Sequence, residues 1–496
     1  MMKKIIKLTF VAAILLLTYS CEEDYLEAEP SEFITTEQIA DAASRNPDVI
    51  RGTMTGIYAL MFEIWTGGTT GHDDFGQKGY DIFGDMLSSD MALSVSTYGW
   101  YRASITEYQC TQDFTYLDNY QVWRYYYRII RSANTVIDAL GGNDAVPELD
   151  ENKFIMGQAK AMRAHSYFYL TQYFQKTYNP SEEILPLYDD LLDQNGPKVA
   201  ASEIYALIES DLQAAITLLD GYGRSSKVEV NQTVAKGILA YVYGAMGGKD
   251  LEVKTLTGEI INSGEFTIMN AEEVLGGFND VNTPGWMWGA DLTPDAEIGL
   301  VSFWGQVDFF SYSYAAFGDY KVIDADLFAA IPANDVRKGQ FYDNPSSAIH
   351  LMPLNKFYNA SRVQYGASRT VTDDYIYMRV AEMYLLNAEA SARSGDDTGA
   401  RTSLKAVLDK RLDDTSYVDG LSGAALLNEI GLQTRIELWG EGKSYLAMKR
   451  FKATKTRGDN HLSFVGVPIS YDDERMTFEI PEAEIQNNPF ISDQNL

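Results

Sequence analysis

Two short segments of this 496-residue chain set aromatic rings around glycine. In Tyr98-Gly99-Trp100-Tyr101 three rings flank one Gly. In Gly285-Trp286-Met287-Trp288-Gly289 two Trp stand two residues apart between two Gly. On an extended backbone residues i and i+2 share a face, so Trp286 and Trp288 are expected to present their rings together. Phe309, Phe310, Tyr312 and Tyr314 come soon after. Flat rings beside Gly and Asp or Asn suit sugars: the apolar face of a sugar ring stacks while its hydroxyls bond the polar neighbours. Each such contact is worth about 0.5–1.5 kcal/mol beyond area burial, by analogy with aromatic pairs. Tyr98, Trp100, Tyr101, Trp286 and Trp288 are therefore the candidate ligand-binding residues. The plainer alternative is that each ring anchors its own loop to a scaffold.

The other residues capable of chemistry do not assemble into a catalytic pattern. The four His, at 72, 165, 350 and 461, form no metal-ligand pair at helical spacing. His165 lies among apolar helix-forming residues and reads as a core histidine. Gly440-Glu441-Gly442-Lys443-Ser444 imitates the end of a phosphate loop, but Glu437 occupies the position of the earlier Gly, and 435–451 reads as helix. Asp280-x-Asn282-x-Pro284-Gly285 resembles the start of a calcium loop, but Pro284 supplies no side-chain ligand and Asp291 replaces the closing Glu. Carboxylates are abundant, yet nothing singles out a glycosidase pair. The expectation is a binding protein with no metal, no cofactor and no catalytic residue. A surface glycoside hydrolase is the less favoured alternative.

Cys21 carries a different chemistry. A basic head with Lys3, Lys4 and Lys7 precedes a ten-residue apolar run, Leu8–Leu17, that is too short to span a bilayer. Ending next to a Cys, this segment resembles a bacterial lipoprotein signal. Residues 1–20 are then a signal peptide, and Cys21 is the acylated first residue that holds the protein to a membrane. With Cys21 occupied only Cys110 remains, so no intrachain disulfide can form, and the exported protein must rely on its core. The net charge of −30 opposes binding to nucleic acid or to anionic membrane surfaces.

The elements that must position these residues are mainly helical. In 203–220 Ile204, Leu207, Ile208, Leu212, Ala215, Ile216 and Leu219 form one stripe, with Ser202 as the expected N-cap. Residues 154–175 are apolar on most faces, which suits a helix buried between neighbours. Residues 376–411 read as a helical hairpin turning at Gly395-Asp396-Asp397, like a tetratricopeptide unit. The repeat period is irregular, so the scaffold is a set of degenerate helical repeats. Two insertions, about 65–122 and 276–370, break the pattern with Gly, Pro, Asn and short strand-like runs such as Ile298–Trp304. Irregular insertions on a scaffold usually carry function. No linker separates domains, so 21–496 is expected to be one unit.

These motifs together resemble the SusD/RagB family of outer-membrane lipoproteins. Cys21-Glu22-Glu23-Asp24-Tyr25-Leu26 and Pro30 match its mature start. Trp123, Tyr127 and Asn134 match one family helix, and Arg163-Ala164 with Tyr167-Phe168 match the next. Asp335-x-Arg337, Arg379-x-Ala381-Glu382-x-Tyr384-Leu385, Arg435-x-Glu437, Glu441-Gly442 and Lys449-Arg450 come in order after them. The chain closes on Ile480-Pro481-x-x-Glu484-Ile485-x-x-Asn488-Pro489. The resemblance implies a tetratricopeptide-like scaffold with an irregular ligand face. It also implies a surface lipoprotein that captures glycans and delivers them to a SusC-like TonB-dependent transporter in polysaccharide uptake. Capture of peptides or another nutrient is the alternative within the family. Most matched Arg and Glu residues are expected to be structural, pairing inside packed helices.

Overall fold

The computed structural model describes residue 42 and residues 46–363 and 369–495. The signal segment and Cys21 lie outside the described residues. The helices in chain order are α1 Pro47–Leu60, α2 Gln77–Leu87, α3 Leu117–Ala139, α4 Asp150–Phe174, α5 Ala201–Leu218, α6 Gln232–Met246 and α7 Asp250–Ser263. After them come α8 Phe303–Val307, α9 Ala325–Ala330, α10 Val380–Arg393, α11 Asp397–Leu408, α12 Gly423–Glu437, α13 Ser444–Arg450 and α14 Glu482–Asn487. Among the described residues eight short strands form four antiparallel pairs. β1 Met91–Ser96 pairs with β5 Asp319–Ile323, and β2 Glu183–Pro186 pairs with β3 Lys198–Ala200. β4 Trp286–Ala290 pairs with β6 Tyr375–Arg379, and β7 Thr454–Thr456 pairs with β8 Pro468–Ser470. The fold is mainly α, a helical-repeat scaffold with irregular connections.

The scaffold stacks its helices on one another: α3 on α4, α4 on α5, α6 on α7, and α10 on α7, α11 and α12. α4 sits in the middle and is buried on every side from Ile155 to Phe174, as its all-round apolar sequence requires. One hydrophobic cluster runs from Ile50 to Ile491, and a second smaller one joins α10, α11 and α12 through Leu385, Leu404 and Ile430. Cys110 is buried within the large cluster as a free thiol. No helix among the described residues is long and apolar enough to cross a membrane.

Several local expectations are corrected. α5 starts at Ala201 directly after β3, so Ser202 falls inside the first turn and does not cap it. The arm expected from 376 is a strand through Arg379, and the helix begins at Val380. The turn of that hairpin is as expected, with Asp396 capping α11 by accepting a bond from Gly399 N at 2.9 Å. Ile298–Trp304 is not a strand: Ser302 accepts a bond from Gly305 N at 2.9 Å and starts α8. The insertion at 65–122 contains α2, which is buried along its whole length.

The motif arginines and glutamates are tied together out of water. Arg379 bonds Glu437 and Glu441 at 2.7 Å each. Arg411 reaches Glu437 at 2.7 Å, Arg337 reaches it at 3.1 Å, and Lys356 reaches Glu441 at 2.8 Å. All six side chains are buried. Charges removed from water must be paired and fully bonded, and here each Glu faces two or more cations. The surrounding guanidinium groups hold Glu437 well below the usual carboxylate range, although burial alone would raise it. Glu382 accepts a bond from Arg379 N at 2.7 Å and fixes the start of α10. In α4 Arg163 bonds Asp211 of α5 at 2.7 Å and Asn134 of α3 at 2.9 Å, joining three helices. These residues hold the scaffold.

Candidate functional site

The two insertions meet at the end of the β1–β5 sheet. β1 closes at Ser96 opposite Asp319, the first residue of β5. Beyond it, Thr97 N and Tyr98 N both donate to Asp319 Oδ1, at 2.5 and 3.0 Å, and Thr97 N also bonds Gly318 O at 3.0 Å. Gly318 has φ 105°, and a Cβ there would stand 2.4 Å from Thr97 Oγ1, so only glycine fits this crossing. Gly99, at φ 89°, turns the chain between Tyr98 and Trp100.

The rings gathered there form a terrace. Tyr98 is 55% exposed. Trp100 is half-buried and lies flat on the imidazole of His72, with centroids 5.0 Å apart and planes 3° from parallel. Tyr314 stands beneath, edge-on to Tyr98 at 5.1 Å, to His72 at 5.8 Å and to Trp100 at 6.1 Å. Its hydroxyl is joined to His72 Nδ1 at 2.5 Å. Tyr312 and Phe317 continue the row at 5.9 Å, with Phe317 45% exposed and the Arg369 guanidinium 4.3 Å over Tyr312. The second loop is pinned by buried Asp308, which accepts bonds from Phe310 N at 2.9 Å and Asn359 N at 3.2 Å. Burial pushes Asp308 up to about 6. Gln306 bonds His72 O at 2.8 Å and fixes the underside of the stack. Burial also lowers His72, which favours the neutral ring near neutral pH.

The structure separates the five predicted ring residues. Tyr98 and Trp100 are on the terrace. Tyr101, Trp286 and Trp288 are not: each is 0–1% exposed. Tyr101 takes a left-handed φ of 66° at the start of a π-helical turn, and its ring turns inward against Phe83 at 5.6 Å. The buried ammonium of Lys321 lies 5.0 Å over it. Trp286 and Trp288 belong to β4, which is paired with β6 and packed on α6. Trp288 donates to Val228 O at 3.0 Å and abuts Tyr377 at 5.2 Å and His165 at 5.3 Å. His165 is a core residue, driven down to about 3 by burial and the nearby Lys443, and its Nδ1 has no hydrogen-bond partner. A strand covered on both faces hides both Trp rings.

Sequence reasoning set His72 aside and left Tyr312 and Tyr314 outside the chosen set. His72 lies 28 positions before Trp100, and no local pattern couples the two. The signal for the second loop was available in its density of rings after Asp308. Chemically the terrace can stack and hydrogen-bond, and Asp319 at its edge accepts backbone N–H groups through Oδ1. Among the described residues no group of three or more His, Cys, Asp or Glu is placed to hold a metal ion.

Residues 344–496 match the SusD family model. Residues 68–243 match a SusD-like model described as starch-binding associating with outer membrane. A SusD-like protein of Formosa agariphila is 28% identical over 152 residues, a stretch that spans 31% of this chain and 27% of that relative. The fold matches a SusD-like carbohydrate binding protein from Bacteroides vulgatus with TM-score 0.75 and 23% identity, over 89% of this chain and 96% of that one. It matches a SusD superfamily protein from Bacteroides thetaiotaomicron with TM-score 0.74 and 23% identity, over 90% and 99%. It matches the surface glycan-binding protein A from Bacteroides fluxus with TM-score 0.69 and 16% identity, over 90% and 98%. The two matched segments contain the Trp–Tyr–Asn and Arg-Ala helices and, apart from Arg337, the buried Arg–Glu network, and the chain belongs to the SusD/RagB family.

Proposed function

We propose that this protein is a non-catalytic glycan-binding lipoprotein of the outer membrane. In this reading Cys21 carries the lipid, the terrace captures an oligosaccharide, and the helical scaffold docks on a SusC-like TonB-dependent transporter that receives the sugar. The carrying observation is the terrace itself. Two insertions far apart in sequence converge to keep Tyr98, Trp100, Tyr312 and Phe317 in contact with solvent. Rings left in water cost the hydrophobic free energy that burial would recover, so a row of them is a surface waiting for an apolar partner. Sugar faces supply that partner while leaving their hydroxyls hydrated. The starch-binding family model and the carbohydrate- and glycan-binding relatives of the same fold support this class of ligand.

A glycan array probed with the full chain tests this. One class of oligosaccharide should be retained, and the Trp100→Ala protein should lose it. Retention of no glycan, or release of reducing ends from the retained one, would refute a purely binding role.

A further inference from the structure

A second site lies beside Arg435, whose partner Asp90 stands at the opposite end of β1 from the terrace. Between α12, α13 and β7 a pocket of about 390 Å³ is lined by Arg435, Lys452 and Lys455 together with Leu432, Met448 and Phe451. The lining holds three cations and no carboxylate, on a chain of net charge −30. Arg435 is already engaged: its guanidinium pairs with buried Asp90 at 2.6 Å. Lys452 and Lys455 are not, and among the described residues neither has a carboxylate within ion-pair distance. Lys455 sits in the middle of β7, opposite Ile469 of β8, so the ladder fixes the base of its side chain. Burial pushes its ammonium down to about 8. The more distant Asp90 and Asp324 pull upward, and Arg435 opposes them. A half-buried ammonium without a partner is costly, and a bound anion relieves that cost through a charge-assisted bond. Leu432 and Phe451, both half-buried, supply an apolar wall beside the cations.

We propose that this pocket binds an oxyanion group (sulfate, phosphate or carboxylate), borne on a body of monosaccharide size whose apolar face lies against Phe451 and Leu432. The volume exceeds what a bare ion fills, and the apolar wall has no use for one. The site is separate from the terrace. Asp90 precedes β1 and Tyr98 comes after it, so at about 3.3 Å per residue the two ends stand roughly 25 Å apart. The proposal therefore holds whether or not the terrace takes a sugar.

Calorimetric titration of the full chain at constant ionic strength tests it, with sodium sulfate, sodium phosphate, glucuronate and glucose 6-sulfate as separate probes. Saturable binding is expected, tighter for the two sugar-borne anions. Lys455→Met and Lys452→Met should each weaken it about tenfold, the scale of one hydrogen bond to a charged group. Lys455→Arg should retain binding, and Trp100→Ala should leave it unchanged. Equal affinity for inorganic sulfate and glucose 6-sulfate would overturn the sugar-sized body and assign the pocket to the free anion. The whole proposal is overturned if no probe saturates, or if the folded double variant, checked by circular dichroism, binds as well as the original chain.

Discussion

Two tryptophan–histidine pairs occupy opposite environments in this protein. Trp100 stacks flat on His72 at the solvent edge, at 5.0 Å and 3°. Trp288 meets His165 edge-on at 5.3 Å and 85°, in the core. Both Trp belong to glycine-flanked, ring-rich stretches of similar composition. The two segments differ in the protein packed around them. β4 is paired along its length with β6 and has α6 behind it, so alternate side chains on either face meet protein. The stretch 98–100 lies past the end of β1, where Gly318 and Asp319 hold its backbone and His72 and Tyr314 meet its rings. Exposure is set by the protein each ring meets, as buried Tyr101 near exposed Tyr98 illustrates, and ring content does not encode it.

Substitutions at the two pairs should separate these environments. The largest effect is expected for Trp288→Ala, which empties a core site. Chemical denaturation should show a loss of about 3–5 kcal/mol. Glycan affinity of the folded fraction should not change. A loss below about 1 kcal/mol, the scale of a surface substitution, would mean that β4 is less enclosed than its burial indicates.

Acid should distinguish the two histidines next. The folded pKa of His165 is about 3, depressed by burial, and the unfolded value is about 6.5. Below pH 6.5 the unfolded chain takes up a proton at this site and the folded chain does not, so acidification favours unfolding. His165 should therefore remove about 2 kcal/mol of stability between pH 7 and pH 5. Replacing it with Gln should flatten the pH dependence of denaturation midpoints by that amount, whatever the cost at pH 7. An unchanged slope would contradict the buried neutral ring.

At the terrace the balance reverses. Trp100→Ala should weaken glycan binding by about 1–3 kcal/mol, by analogy with bases stacked on aromatic side chains. Its cost in stability should stay within about 1 kcal/mol, as for other partly exposed positions. Tyr98→Ala should act in the same direction and less, by about 0.5–1.5 kcal/mol, because its ring touches a single neighbour. Calorimetry and denaturation on the same samples give both quantities. A Trp100→Ala protein that loses stability and keeps its affinity would make this Trp a loop anchor.

The scaffold was legible in the chain because helix period and all-round apolarity are local signals. The stripe of α5 and the apolar α4 needed no tertiary knowledge, and the hairpin turn at Gly395 was marked by its own residues. The motif arginines and glutamates behaved as pairing groups, as expected of charges inside packed helices. The terrace was half legible. Tyr98 and Trp100 were found by composition, but Trp286 and Trp288 have the same composition and different neighbours. His72 and Tyr314 join the terrace only through contacts between residues 72, 100 and 314, a separation that no window of sequence covers. Tyr101 parts from Tyr98 and Trp100 because it opens a π-helical turn at a left-handed φ and packs its ring inward on Phe83.

The buried ties around Glu437 and Glu441 also bear on how this protein comes apart. An array of helical hairpins in which each unit touches only its neighbours frays from its ends, one repeat at a time. Here Arg337, Lys356, Arg379 and Arg411, drawn from four separate stretches, converge on two carboxylates at the end of α12. Opening any one stretch strands charges in a dry interior, so the hairpins from α10 to α13 must let go together. The C-terminal half is thereby made cooperative, a rigid block rather than a string of loosely coupled repeats.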